Sequence, residues 1–273
     1  MIRHFLNPPN WFTSASLFCS TYAMALLITG DGGSAVLSKA CVLVIFGGVF
    51  DLLDGRVARL TGRFSEFGLQ LDTIADVVGF GVAPALIVYT WCLQDLGMMG
   101  ALVAFWYVLA TAFRLARFNV AKAEEGWGLR GHSQGVTSTM AGGSLVTLVW
   151  VCNDYLLGVF APSALTVAAI VAFVGLLMVT SIPFRNFRDL RDNKIARRWM
   201  ALALASCLIG AVALDISMWW GIGAVLYLTL GLADGIVVAI HHRRLSKALL
   251  LDEIEEALTE GVGDDRTDEV LID

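Results

Sequence analysis

Charge is scarce in this chain. Asp, Glu, Lys and Arg make up 16% of its 273 residues, against about 25% in an ordinary soluble domain. Apolar residues reach 57% and the mean hydropathy is +0.72. The apolar residues fall in long blocks parted by short charged segments, which excludes one large soluble core and points to membrane spans. Soft metal ligands are equally scarce. There are 4 histidines and 5 cysteines, and the cysteines (Cys19, Cys41, Cys92, Cys152 and Cys207) all sit in apolar blocks with no C-x-x-C pair. Neither a disulfide framework nor a zinc site is expected. With a net charge of −5, no nucleic-acid partner is expected.

Basic residues are missing from every second loop. The apolar blocks run roughly 11–30, 34–51, 71–93, 97–116, 136–157, 161–183, 198–216 and 218–240. Each is near the ~20 residues that a helix needs to cross the hydrocarbon. They lack the alternation of a barrel, so the expected fold class is all-α, a polytopic integral membrane protein of about eight helices. With that count, 18 of the 19 Lys and Arg residues fall on one side and only Lys39 on the other. The positive-inside rule makes the basic side cytoplasmic, with both termini there. Arg3 and Ala23-Met24-Ala25 have the outline of a signal peptide, but Pro8-Pro9-Asn10 and the later apolar blocks favour an uncleaved first span. Residues 1–240 therefore read as one transmembrane domain. Residues 241–273 read as a cytoplasmic tail, amphipathic over Leu245 to Leu258 and then acidic and disordered.

Four acids stand out against this apolar background. Asp51 and Asp54 are spaced i, i+3, and Asp72 and Asp76 i, i+4, so each pair shares a helix face. A hairpin between the second and third spans brings the faces together on the cytoplasmic side. Carboxylates gathered at partial membrane depth need neutralising, and divalent cations do this. An all-oxygen ligand set selects hard ions: Mg²⁺, Mn²⁺ or Ca²⁺. Two such ions suit displacement at phosphorus. Gly55 and Ala58 leave room for a nucleotide beside the acids, and Arg59 and Arg63 offer forked donors to phosphate. A cation transporter is the competing reading, but its acids would be spread over several spans near the midplane.

The run from Asp51 to Asp76 reads DxxDGxxARx8GxxxDxxxD. It resembles, at every motif position, the signature of the CDP-alcohol phosphatidyltransferases. The resemblance implies that Asp51, Asp54 and Asp72 bind two metal ions, and that Asp76 lies at the same site and acts as general base. It further implies that Gly55, Ala58, Arg59 and Gly68 line the CDP pocket, and that the protein is a homodimer with its site open to the cytoplasmic leaflet. Weaker features are similar to the membrane-embedded phosphatidylserine synthase branch. These are Pro9-Asn10-Trp11-Phe12-Thr13, the Ser65 to Gly68 and Gly79 to Pro84 stretches, Arg114-Leu-Ala-Arg117-Phe118-Asn119, and Leu177 to Phe187. Thr73 stands where serine is commoner in that branch. Gly135 to Gly143 lacks the prolines the branch carries there.

The branch resemblance implies in-line transfer of a phosphatidyl group from CDP-diacylglycerol to L-serine, with Asn10 and Thr13 joining the CDP-lipid site. Serine carries a carboxylate, for which Arg114, Arg117 and Asn119 are the candidate acceptor residues. Choline, inositol and glycerol phosphate remain alternative acceptors.

Overall fold

In this computed structural model, residues 7–30, 33–62, 65–123, 132–156, 162–180 and 183–185 are described. The expected seventh and eighth spans, the tail from His241, and Arg63 lie outside the described residues. Six helices follow in order: α1 (Pro8–Thr29), α2 (Ser34–Thr61), α3 (Glu66–Trp91), α4 (Met98–Ala123), α5 (Ser138–Val151) and α6 (Ala164–Val179). The first four are long and apolar enough to cross a membrane. A three-residue antiparallel ribbon, His132–Gln134 against Pro183–Arg185, is the one departure from helix among the described elements.

The six helices coincide with the first six expected spans, but α2, α3 and α4 overrun theirs. The apolar pattern stops near Asp51, yet α2 continues to Thr61, because residues 52–61 keep helical propensity after hydrophobicity ends. Gly62 then closes α2 in the left-handed conformation, at φ 65°, which glycine adopts without a Cβ clash. The next helix opens on Ser65, whose Oγ accepts the Gly68 N–H at 3.0 Å, the preferred use of serine at a helix start. The acids therefore lie well inside a long helical hairpin rather than at its loop.

Packing uses small residues. Ala23, Ala40, Ala83, Ala110 and Ala141 are fully buried between helices, allowing the close backbone approach on which helix association in lipid depends. Large apolar side chains such as Phe18, Phe46, Phe105 and Phe173 point outward. Such a surface would be a liability in water and is the expected surface against lipid.

Midway, α3 widens into a π-helical stretch at Val77–Val82, where the Ala83 N–H bonds the Val78 carbonyl five residues back. The next residue, Pro84, has no N–H to offer the Phe80 carbonyl four residues before it, so that carbonyl has to be satisfied from outside the helix. The Tyr107 hydroxyl of α4 donates to Phe80 O at 2.9 Å. Behind the same carbonyl, α5 approaches so closely that a Cβ at Gly142 would lie 2.8 Å from Phe80 O. At the far end of the bundle, the buried Asn153 amide donates to Ser34 Oγ at 2.9 Å and Ser38 Oγ at 2.8 Å, tying α5 to the start of α2.

Gly142→Val should therefore force α5 off α3. We expect a loss of about 1–3 kcal/mol, read as a lowered melting temperature in detergent, with Gly142→Ala intermediate.

Candidate active site

The polar residues that sequence spacing singled out gather at one end of the bundle, where α1, α3 and α5 begin and α2, α4 and α6 end. On α2 and α3, the carboxylates of Asp51, Asp72 and Asp76 offer oxygens that all lie within 4.8 Å of one another. Each side chain is partly buried. The i, i+4 spacing puts Asp72 and Asp76 on one stripe of α3, and the antiparallel hairpin sets Asp51 opposite them.

Asp54 stands apart from this triad. It is buried, 7% exposed, and its Oδ2 accepts the Thr13 hydroxyl of α1 at 2.7 Å. Thr13 is itself 4% exposed, as is Asn10 one turn earlier. Pro8 and Pro9 occupy the first turn of α1, where the missing N–H costs nothing and the fixed φ favours the helix. Asn10 packs against the start of α3, where a Cβ at Gly68 would come within 3.0 Å of Asn10 Oδ1. Gly68 thus admits α1 to the hairpin.

Gly55 behaves differently. A Cβ there would meet nothing within 4 Å, so this side of α2 opens onto space beside the acids. Ala58 is half-buried on the same helix. Arg59 is exposed and folds its Nε back onto Gly55 O at 2.9 Å.

Arg114, Arg117 and Asn119, read from sequence as one acceptor-binding group, go to three different partners. Arg114 is buried and its Nη1 donates to Ser138 Oγ at 3.1 Å, at the first turn of α5. Arg117 lays its fork on the end of α6, with Nη1 donating to Val179 O at 2.9 Å and Nη2 to Met178 O at 3.2 Å and Thr180 O at 3.3 Å. These are carbonyls that a helix end leaves without intrahelical donors, and a cation suits the negative end of the helix. Asn119 reaches the acidic helix, donating from Nδ2 to Thr73 Oγ1 at 3.0 Å. Thr73 adjoins Asp72 and in turn donates to Leu69 O at 2.9 Å. The spacing of 114, 117 and 119 carried no sign of this division, since each partner lies far away in sequence. Thr73 and Ser138, absent from the sequence-derived site, owe their places to these contacts.

An all-oxygen triad on two helices that a third helix braces fits a hard divalent cation in donor type and spacing. With acids, open glycine face and arginine on one hairpin, the geometry suits chemistry at a phosphate ester.

Residues 6–180, well over half of the chain, match the family described as CDP-alcohol phosphatidyltransferase. The chain belongs to that family and is an integral membrane protein. It is similar to the CDP-diacylglycerol–serine O-phosphatidyltransferase of Helicobacter pylori (strain ATCC 700392 / 26695), 34% identical over 193 residues that cover 69% of this chain and 77% of the relative. The Bacillus subtilis (strain 168) protein of the same name is 31% identical over 193 residues, 70% of this chain and 97% of the relative. An archaetidylserine synthase of Methanothermobacter thermautotrophicus (strain ATCC 29096 / DSM 1053 / JCM 10044 / NBRC 100330 / Delta H) is 35% identical over 170 residues, 62% of this chain and 66% of the relative.

The Arg117 fork gives a direct test of its placement. Arg117→Ala should lower the melting temperature in detergent, by about 2–3 kcal/mol of stability for a lost charged hydrogen-bond set. Arg117→Lys should recover only part of this, because an ammonium is a point donor and not a fork.

Proposed function

We propose that this chain transfers the phosphatidyl group of CDP-diacylglycerol to L-serine, giving phosphatidylserine and CMP. The observation that carries the reading is the convergence of Asp51, Asp72 and Asp76 within 4.8 Å on the α2–α3 hairpin, in a chain of the CDP-alcohol phosphatidyltransferase family. Serine as acceptor is supported by the names of the relatives, which include serine synthases acting in two lipid settings.

In this reading Asp51, Asp54, Asp72 and Asp76 hold Mg²⁺ or Mn²⁺, with two ions per site. A divalent cation held by these acids would supply polarisation of the diphosphate and positive charge to offset that of the leaving CMP. Asp76 takes the proton from the serine hydroxyl, whose oxygen attacks the lipid-side phosphorus. The serine O–P bond forms as the P–O bond to CMP breaks. The open face at Gly55 and Ala58 admits the nucleotide, Arg59 and Arg63 meet its phosphates, and Gly68 shapes the same pocket. Of the acceptor candidates, Asn119 is favoured by its link through Thr73 to the helix of Asp72 and Asp76. Arg114 stands beside the N-terminus of α5, where a carboxylate is electrostatically welcome. Arg117 is committed to α6 and is assigned a structural role.

The site opens on the cytoplasmic side, as the distribution of Lys and Arg supports. The working unit is a homodimer among membrane lipids, with a transmembrane domain over 1–240 and a cytoplasmic tail over 241–273.

A panel of radiolabelled alcohols, offered with CDP-diacylglycerol to the purified protein, tests the reaction and its acceptor together. Serine alone should be incorporated with stoichiometric release of CMP. Preferred incorporation of choline, inositol or glycerol phosphate would overturn the acceptor, and no CMP release with any alcohol would overturn the reaction. Asp76→Asn should lower kcat by about 100-fold or more while sparing binding of the CDP-lipid; near-normal turnover would remove Asp76 as the base. Chelation by EDTA should abolish turnover, with recovery on adding Mg²⁺ or Mn²⁺.

A further inference from the structure

The four acids are not equivalent. Three form the triad, while the fourth, Asp54, is the buried one and is held from another helix. Its partner Thr13 lies 41 residues away in sequence, and their 2.7 Å contact joins α1 to α2 at the depth of the acids. A carboxylate rotates easily about its terminal torsion, which has broad, two-fold preferences. One short hydrogen bond to Oδ2 fixes the plane of the group and so fixes the direction in which Oδ1 faces.

Thr13 is well placed to act as such an anchor. Its β-branched side chain is stiff about χ1, and its Oγ1 also lies 3.3 Å from Pro9 O within its own helix. The start of α1 is set by the two prolines, and Asn10, on the same face as Thr13, is wedged against Gly68 at the start of α3. One helix face therefore braces both arms of the acidic hairpin. The resemblance read from sequence assigned Thr13 to the CDP-lipid itself. The contact made by its hydroxyl assigns it elsewhere.

We propose that Thr13 is a positioning residue for Asp54, holding that carboxylate by one oxygen beside the cation site of the hairpin rather than binding the lipid donor. The inference rests on the reading of the acids as a divalent-cation site. It separates Thr13 from a mere pin between two helices, because a pin would contribute stability and leave cation affinity untouched.

Mn²⁺ binding to the purified full-length protein, followed by electron paramagnetic resonance without any substrate, provides the test. Thr13→Val keeps the shape and removes the donor. It should weaken Mn²⁺ binding by about 10-fold or more, as loss of a partner that orients a metal ligand does. Thr13→Ser should stay within about threefold of the unaltered protein on the same principle. If Thr13→Val does not fold, Thr13→Ala carries the same expectation, with a metal-free melting curve to confirm its fold. At saturating Mn²⁺, Thr13→Val should recover an unaltered KM for the CDP-lipid. Mn²⁺ affinity unchanged in a folded variant lacking the hydroxyl would overturn the proposal. So would a raised CDP-lipid KM that added Mn²⁺ does not restore, because it would put Thr13 on the donor. Failure of the unaltered protein to bind Mn²⁺ at all would be a different failure, that of the cation site itself.

Discussion

Like charges held together in a poor dielectric set the terms for this fold. Asp51, Asp72 and Asp76 sit within 4.8 Å of one another, in a chain otherwise dominated by apolar side chains. Carboxylates that close cannot all be ionised without a cation or a proton among them, and the two helices that carry them need outside contacts to hold that spacing. The surrounding helices supply those contacts. α1 lies along α2 and reaches the acids through Thr13 and Asn10. α4 reaches α3 through Asn119, and anchors α5 and α6 through Arg114 and Arg117. Thr13, Asn119, Arg114 and Arg117 thus tie helices together around the acids.

The same economy governs the backbone. In lipid a carbonyl without a donor is expensive, and at two places the structure meets this with named groups. Pro84 in α3 leaves the Phe80 carbonyl without its helical donor, and Tyr107 takes it. The end of α6 frees several carbonyls. Arg117 takes three, and the Val136 N–H takes that of Leu177 at 3.2 Å. Arg117 shows how a basic residue near a membrane surface can serve a neighbouring helix end.

Much of this was legible in the sequence. Six of the expected spans correspond to described helices because a run of apolar residues long enough to cross lipid has few other uses. The acidic face was legible because helical spacing is local: i, i+3 and i, i+4 place side chains together whatever the tertiary fold. Three features were not legible. The overrun of α2 and α3 beyond the apolar pattern depends on propensity, and hydropathy does not report it. The widening at Val77–Val82 is hidden inside a uniformly apolar stretch where a shift in period leaves no mark. The partners of Thr13, Arg117 and Asn119 lie 41 to 63 residues away, beyond the reach of any local spacing rule.

The overrun of the hairpin has one more consequence. Ten residues of helix separate Asp51 from Thr61, and ten separate Glu66 from Asp76, which at 1.5 Å per residue is about 15 Å on either side. Asp51 and Asp76 therefore lie well along the hairpin from its loop, and Asp54 and Asp72 nearer to it. Water is the most abundant nucleophile in any cell, and a carboxylate that activates an alcohol activates water too. Setting the acids back from the loop turns the contest between solvent and a dilute alcohol into a question of access, so the length of two helices, as much as the chemistry of four acids, bears on whether an activated phosphate is transferred or merely hydrolysed.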